Sequence, residues 1–244
     1  MAKSTPVFVL ALVAFGAAVT NAQPFTVTPQ QFEPFPNEAS TRIADNYTGF
    51  VFDYDKGTPL TVTPNGMLIP NQVSQNPYLS TLPDGGNGQA ILRLGPCAGN
   101  TPHTHPRGSE ISFMLYGTAE FGMVEENDGN NKLVIYNITQ NQTIHIPQGI
   151  LHFSHNPTCE PAAFLANFPN RDPGVQSMWP SMMRIPTHIL NGATGIDERL
   201  INGLKAFPIV TTPGTGGEEC LKRCNLTFAA NNVLTPLNAS ELVA

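Results

Sequence analysis

Between residues 89 and 168 the chain never holds an apolar pattern long enough to build a helix of ordinary length. It runs in short segments whose apolar residues alternate, at 90–94, 110–116, 119–124, 132–137, 142–146, 151–155 and 162–167. Turn signals such as Asp128-Gly129-Asn130 separate them. A period of two sends successive side chains to opposite faces of a strand. Several short strands at this spacing build a sandwich or a barrel. The 23 prolines, 21 glycines and 12% charged residues suit a turn-rich β protein better than a helical bundle. A net charge of −6 with no basic run argues against nucleic acid as the main partner.

The ends read differently. Residues 1–22 carry Lys3, an apolar run at 7–19 and small residues around Ala22, which reads as a secretory signal peptide. The alternative is an N-terminal anchor, but the run is short for a membrane span, and no anchor is expected. Residues 23–88 are an arm with short strands, broken by repeated prolines. Residues 89–208 hold the barrel core and short C-terminal helices. There Ile196, Leu200, Leu204 and Phe207 fall at helical spacing, and Thr194-x-x-Asp197 resembles a capping box. Residues 209–244 are a Pro/Gly/Thr linker and a cysteine-containing tail with little regular structure expected.

Export carries consequences. Sequons at Asn46, Asn137, Asn141, Asn225 and Asn238 are candidate glycosylation sites. Cys97, Cys159, Cys220 and Cys224 are expected to form two disulfides, and three connectivities are open. Cys97–Cys159 with a local Cys220–Cys224 loop is the favoured arrangement.

The segment that carries chemistry is His103-Thr104-His105-Pro106-Arg107-Gly108-Ser109-Glu110. The histidines alternate on one strand and so share a face. Pro106 to Ser109 makes a turn that returns Glu110 toward the same point. Pro147-Gln148-Gly149-Ile150-Leu151-His152 supplies a second turn and a fourth ligand, His152. Three imidazoles and a carboxylate suit a divalent ion and leave two positions of an octahedron open. Manganese or iron fits better than copper, and the lack of thiolate argues against structural zinc, although the ligands alone settle none of these. His145, His155 and His188 are expected to be structural or surface residues. Ile111, Phe113 and Leu115 should point away from Glu110, with Tyr116 on the side of Glu110; they make an apolar face suited to a subunit interface or, as the alternative, to coverage by the N-terminal arm.

The spacing from His103 to Gly117, and the run from Pro147 to Asn156, resemble the two motifs of the cupin superfamily. The fuller His-x-His-Pro-Arg-x-x-Glu run looks like the germin and germin-like proteins, with the slime-mould spherulins among them. That resemblance implies a jelly-roll β-barrel, manganese held by His103, His105, Glu110 and His152, and assembly into homo-oligomers, in a cell wall or a cyst coat. Oxalate oxidase and superoxide dismutase are activities it implies, with Asn100 matching a substrate-orienting position; from its place beside His152, Phe153 is expected to line the pocket. The chain departs from the pattern at Cys97 and Asn141, where the motifs open on glycine. No cysteine precedes Cys97, so the plant N-terminal disulfide is missing. Leu92 stands where oxalate oxidases carry a second asparagine, which favours the dismutase reading over the oxalate one. A non-catalytic coat protein with a stabilising metal is the competing expectation, and a small-ligand or sugar-binding module a weaker third.

Overall fold

The computed structural model describes residues 51–228, apart from 58, 64, 77–78, 80–85 and 207–211, together with 234–236. The signal segment, Asn46, Asn238 and Phe207 lie outside the described residues.

The alternating runs form strands in two facing antiparallel sheets. The first contains β1 (Thr61–Thr63), β2 (Gly66–Asn71), β3 (Gly88–Leu94), β5 (Glu110–Tyr116), β8 (Thr143–Ile146) and β10 (Ala162–Phe168), in the order β1-β2-β3-β10-β5-β8. The second contains β4 (Ala98–Thr104), β6 (Thr118–Val124), β7 (Leu133–Thr139), β9 (Leu151–His155) and β11 (Gln176–Ser177), in the order β11-β4-β9-β6-β7. A short β12 (Gly214–Thr215) adds to the outside of β4. Neighbours distant in sequence, such as β3 with β10 and β4 with β9, give the crossovers of a jelly roll. The arm therefore contributes strands to the barrel, through β1 and β2.

The core is the pair of inner faces. Leu92, Leu94, Met114 and Phe164 face Ala98, Ala119 and Phe121, all nearly inaccessible to solvent. The Phe121 and Phe164 rings meet edge-on at 5.0 Å across the two sheets. Each such large side chain contributes roughly 1.5–3 kcal/mol on burial.

Turn chemistry fixes the strand ends. Gly117 ends β5 at φ 77°, and a Cβ there would sit 2.7 Å from the Pro161 carbonyl oxygen, so only glycine fits. The two positions where the motifs depart from glycine keep the left-handed backbone, at φ 57° for Cys97 and 66° for Asn141. Asparagine tolerates that region. Cys97 is instead completely buried and tied to the tail.

Alternation along β5 holds from Glu110 to Leu115: Glu110, Ser112 and Met114 are buried, while Ile111, Phe113 and Leu115 lie on the outer face. Tyr116, expected inside, is 44% exposed. The β5–β10 register jumps between Met114 and Tyr116, and this bulge reverses the alternation for the last residue.

Three short helices follow the barrel: α1 (Met178–Arg184), α2 (Thr187–Thr194) and α3 (Glu198–Ala206). The expected stripe and capping box are both corrected here. Gly195, at φ 72°, stops α2 between the two halves of the box. Asp197, not Thr194, caps α3, its Oδ1 accepting the Arg199 N–H at 2.8 Å. Because the apolar spacing spans a break, it does not mark one buried face. Leu200 is 64% exposed, and Ile201 is the residue of α3 that is buried.

The tail also departs from expectation. It forms α4 (Glu218–Arg223) and a hairpin of β13 (Leu226–Phe228) and β14 (Leu234–Pro236). The disulfides are Cys97–Cys220 and Cys159–Cys224, not the favoured pairing. Cysteines four apart near the end of a helix have Cβ atoms about 5–6 Å apart, more than the roughly 3.5–4.5 Å a disulfide spans. Both therefore reach across to the barrel. Among the described residues, no helix is long and apolar enough to cross a membrane.

Candidate metal centre

The two sheets bring the four expected ligands to one point. His103 lies near the end of β4 and pairs in register with His152 of β9, so both imidazoles leave the same inner face. His105 follows directly after β4. Glu110 opens β5 in the opposite sheet. All four are buried, and a ligand atom from each lies within 4.8 Å of every other.

Backbone carbonyls orient the three rings. Nδ1 of His103 donates to the Thr101 oxygen at 2.8 Å, Nδ1 of His105 to the Gly174 oxygen at 2.5 Å, and Nδ1 of His152 to the Ile150 oxygen at 2.8 Å. A carbonyl can only accept, so each Nδ1 carries the proton and each Nε2 is the nitrogen turned to the centre. Nε2 of His105 and of His152 face Glu110 Oε2 at 3.1 and 3.3 Å. The other carboxylate oxygen, Oε1, accepts the Ser112 hydroxyl at 2.6 Å. The Phe168 ring packs on His105 at 4.6 Å.

This arrangement fits a divalent cation. Burial pushes the His103 pKa down to about 3, with His152 and His105 adding to the effect, so the ring stays neutral and able to ligate. Burial would raise the Glu110 carboxyl, but in the metal-free site His105 and His152, donating from Nε2 when they are protonated there as well, outweigh it and hold it well below the usual carboxylate range. An ionised carboxylate and converging imidazole nitrogens are the donor set of an Mn, Fe or Zn site. Nδ1 bonds to backbone carbonyls are the outer interactions that fix ligand orientation.

The centre opens into a cavity of about 370 Å³. Asn100 and Thr101 line it from β4, together with His103, His105 and Glu110. The register shift between Asn100 and His103 lets both reach the same space although they are three residues apart. Leu92 lines the opposite wall.

Phe153, expected at the pocket, points away. It neighbours His152 on β9 and so takes the outer face, where its ring lies over Gly122. His155 is also on that side, beside Glu120 and beneath Gly216, and burial pushes its pKa down. His145 and His188 are exposed. Ser112 and Gly174 were not singled out from the sequence. Ser112 had a signal, being two residues from Glu110 on one strand face. Gly174, a carbonyl 69 residues from the ring it holds, had none.

Asn137 on β7, Asn141 in the turn before β8 and Asn225 after α4 are exposed. The cysteine cluster of Cys97, Cys220 and Cys224 is engaged in disulfides and is no second metal site.

Comparison with known proteins agrees with this geometry. The model of a family described as Cupin matches residues 57–202. Spherulin-1A of Physarum polycephalum is 35% identical over 133 residues, which cover 54% of this chain and 52% of the relative. Germin-like protein 8-2 of Oryza sativa subsp. japonica is 31% identical over 175 residues, 70% of this chain and 76% of the relative. The chain thus spans about half the length of the spherulin it matches. A solved oxalate oxidase superposes with a TM-score of 0.59 at 24% identity, over 65% of this chain and 80% of that one. That likeness is one of fold.

Proposed function

Because the chain belongs to the cupin family and, within it, to the germin-like proteins, we propose that it is a secreted, glycosylated homo-oligomer. It holds one manganese ion among His103, His105, Glu110 and His152 and performs redox chemistry on a small oxygen-bearing ligand. The observation that carries this reading is the convergence of three carbonyl-oriented imidazoles on a buried carboxylate. The germin resemblance implies manganese, and a hard carboxylate without thiolate supports it. Manganese, when bound, supplies a redox-active Lewis acid with open coordination positions. Glu110, as a ligand, would accept a proton when a bound group is released. Asn100, which lines the cavity, would orient a ligand, and the apolar wall would exclude water. Leu92 favours a dismutase over an oxalate oxidase, since an oxalate carboxylate would find no donor there.

Secretion is supported by two disulfides, by the leader-like residues 1–22 and by three exposed sequons. Oligomerisation is supported by apolar surface on the outer face of β5 and on the C-terminal helices, where Ile111 and Leu200 stand exposed.

A second reading is a coat protein of wall or cyst in which the metal only stabilises the barrel. It is favoured by the ligands coming from both sheets, His103 and His152 from one and Glu110 from the other. An ion there would bind the folded state alone and clamp the sheets together.

Elemental analysis of protein purified without chelator comes first. About one manganese per chain is the expected result, and no transition metal would refute the site. Dismutase and oxalate-oxidase assays before and after chelation then separate the readings: a metal-loaded, inactive protein is the coat protein.

A further inference from the structure

The cavity beside the metal centre has an architecture that selects a kind of ligand. Its floor is the inner face of the first sheet, and the strand registers set its rows. Leu68, Leu92 and Phe164 form one cross-strand row. The next row along β2, β3 and β10 is Pro70, Ala90 and Ala166. The large side chains of the first row and the Phe168 ring beyond stand on either side of these small ones, and the space between them is the cavity. Facing this floor, β4 contributes Asn100 and Thr101 beside the proposed ligands His103, His105 and Glu110.

The pocket is thus two-ended. One end offers metal ligands and an amide. The floor of Leu68, Leu92, Phe164, Ala90 and Ala166 is hydrocarbon, and Gln72, Ser177 and Thr212 are the other polar residues that line the cavity. A charged group pushed against Leu92 and Phe164 would lose its hydration without gaining a donor, which costs several kcal/mol. An apolar group there gains about 0.8 kcal/mol for each methylene buried. At roughly 30 Å³ per water-sized group the volume holds about ten non-hydrogen atoms, far more than a superoxide or an oxalate needs.

We propose that the site takes an amphipathic small molecule: an oxygen-donor head, such as a carboxylate, that meets the metal beside Asn100, and an apolar body of several carbons that lies on the Ala90–Ala166 row against Leu92 and Phe164. The proposal rests on the metal-binding reading above. Leu92 is the specificity-determining residue, and Ala90 and Ala166 make the room.

The test uses the full secreted protein, its manganese content measured beforehand, so that a failure of the metal reading shows before any ligand is added. Acetate, butyrate, hexanoate and succinate are titrated by calorimetry. Affinity is expected to rise by up to about fourfold per methylene from acetate to hexanoate, the 0.8 kcal/mol converted. Succinate, which has the four carbons of butyrate but a charge at the far end, is expected to bind at least about tenfold more weakly than butyrate, because that charge would be desolvated. Leu92→Asn should narrow the butyrate-to-succinate ratio. Ala166→Leu, which fills the cavity, should abolish the gain with chain length at unchanged metal content. Affinity flat across the series on metal-loaded protein, succinate equal to butyrate, or undiminished hexanoate binding in Ala166→Leu would each overturn the proposal.

Discussion

Replacing Ser112 with alanine tests whether the carboxylate at the centre is held in place or merely present. Ser112 is buried on β5, and its hydroxyl donates to Glu110 Oε1 at 2.6 Å. The second oxygen, Oε2, is shared between His105 and His152. Ser112→Ala leaves almost no void but deprives a buried anion of a charge-assisted hydrogen bond, worth about 1.5–3 kcal/mol. This bond exists without metal, so the loss falls first on folding stability, and chemical denaturation should read it directly. A second effect falls on the metal. A carboxylate pinned at one oxygen is already aimed, whereas a free one must be turned when the ion arrives. Loss of such outer partners typically weakens metal binding about 10- to 100-fold. Competition titration with a chelator measures it, with Ser112→Thr as the variant that keeps the hydroxyl. Lost stability with metal affinity within about twofold of the parent would refute the aiming argument. It would show that the two histidines alone orient Glu110.

Further outcomes follow from other parts of the molecule. Peptide mapping under non-reducing conditions should find Cys97 joined to Cys220 and Cys159 to Cys224. Cys159→Ser with Cys224→Ser opens a link between residues 65 apart and should cost about 4 kcal/mol in denaturation. Gly117→Ala forces a Cβ against the Pro161 oxygen at positive φ and should destabilise by more than about 2 kcal/mol, seen as a lowered Tm. Acid should destabilise the metal-free protein from about pH 6.5 downward, the ordinary histidine value. Between there and about 3 the unfolded chain takes up a proton that buried His103 does not, so stability falls as pH falls. A flat pH–stability profile over that window would contradict the burial argument.

Much of the centre was legible in the chain. His103, His105, Glu110 and His152 declare themselves because each pair is separated by a strand step or a turn, and these are local geometries. The outward set on β5 was legible for the same reason, up to the bulge at its end. Expecting Phe153 at the pocket goes against the same rule, which sends a neighbour of His152 to the other face. Local signals misled where a break hid inside a pattern. Gly195 divides what reads as one helical stripe, and the tail read as a loop is wound into α4, which separates Cys220 from Cys224.

The sequence by itself determined that strands form, where they turn and which four side chains could share an ion. These follow from covalent geometry and the two-residue period of a strand, which act between neighbours. Only the tertiary structure decided the disulfide partners, the Gly174 carbonyl that aims His105, and the shape of the cavity. Ala90 and Ala166 are unremarkable residues in their own strands. They become a pocket because β3 and β10 pair in one register and not another. That register is set by the packing of Leu92 and Phe164 against the opposite sheet, an energy summed over residues far apart in the chain and visible in none of them alone.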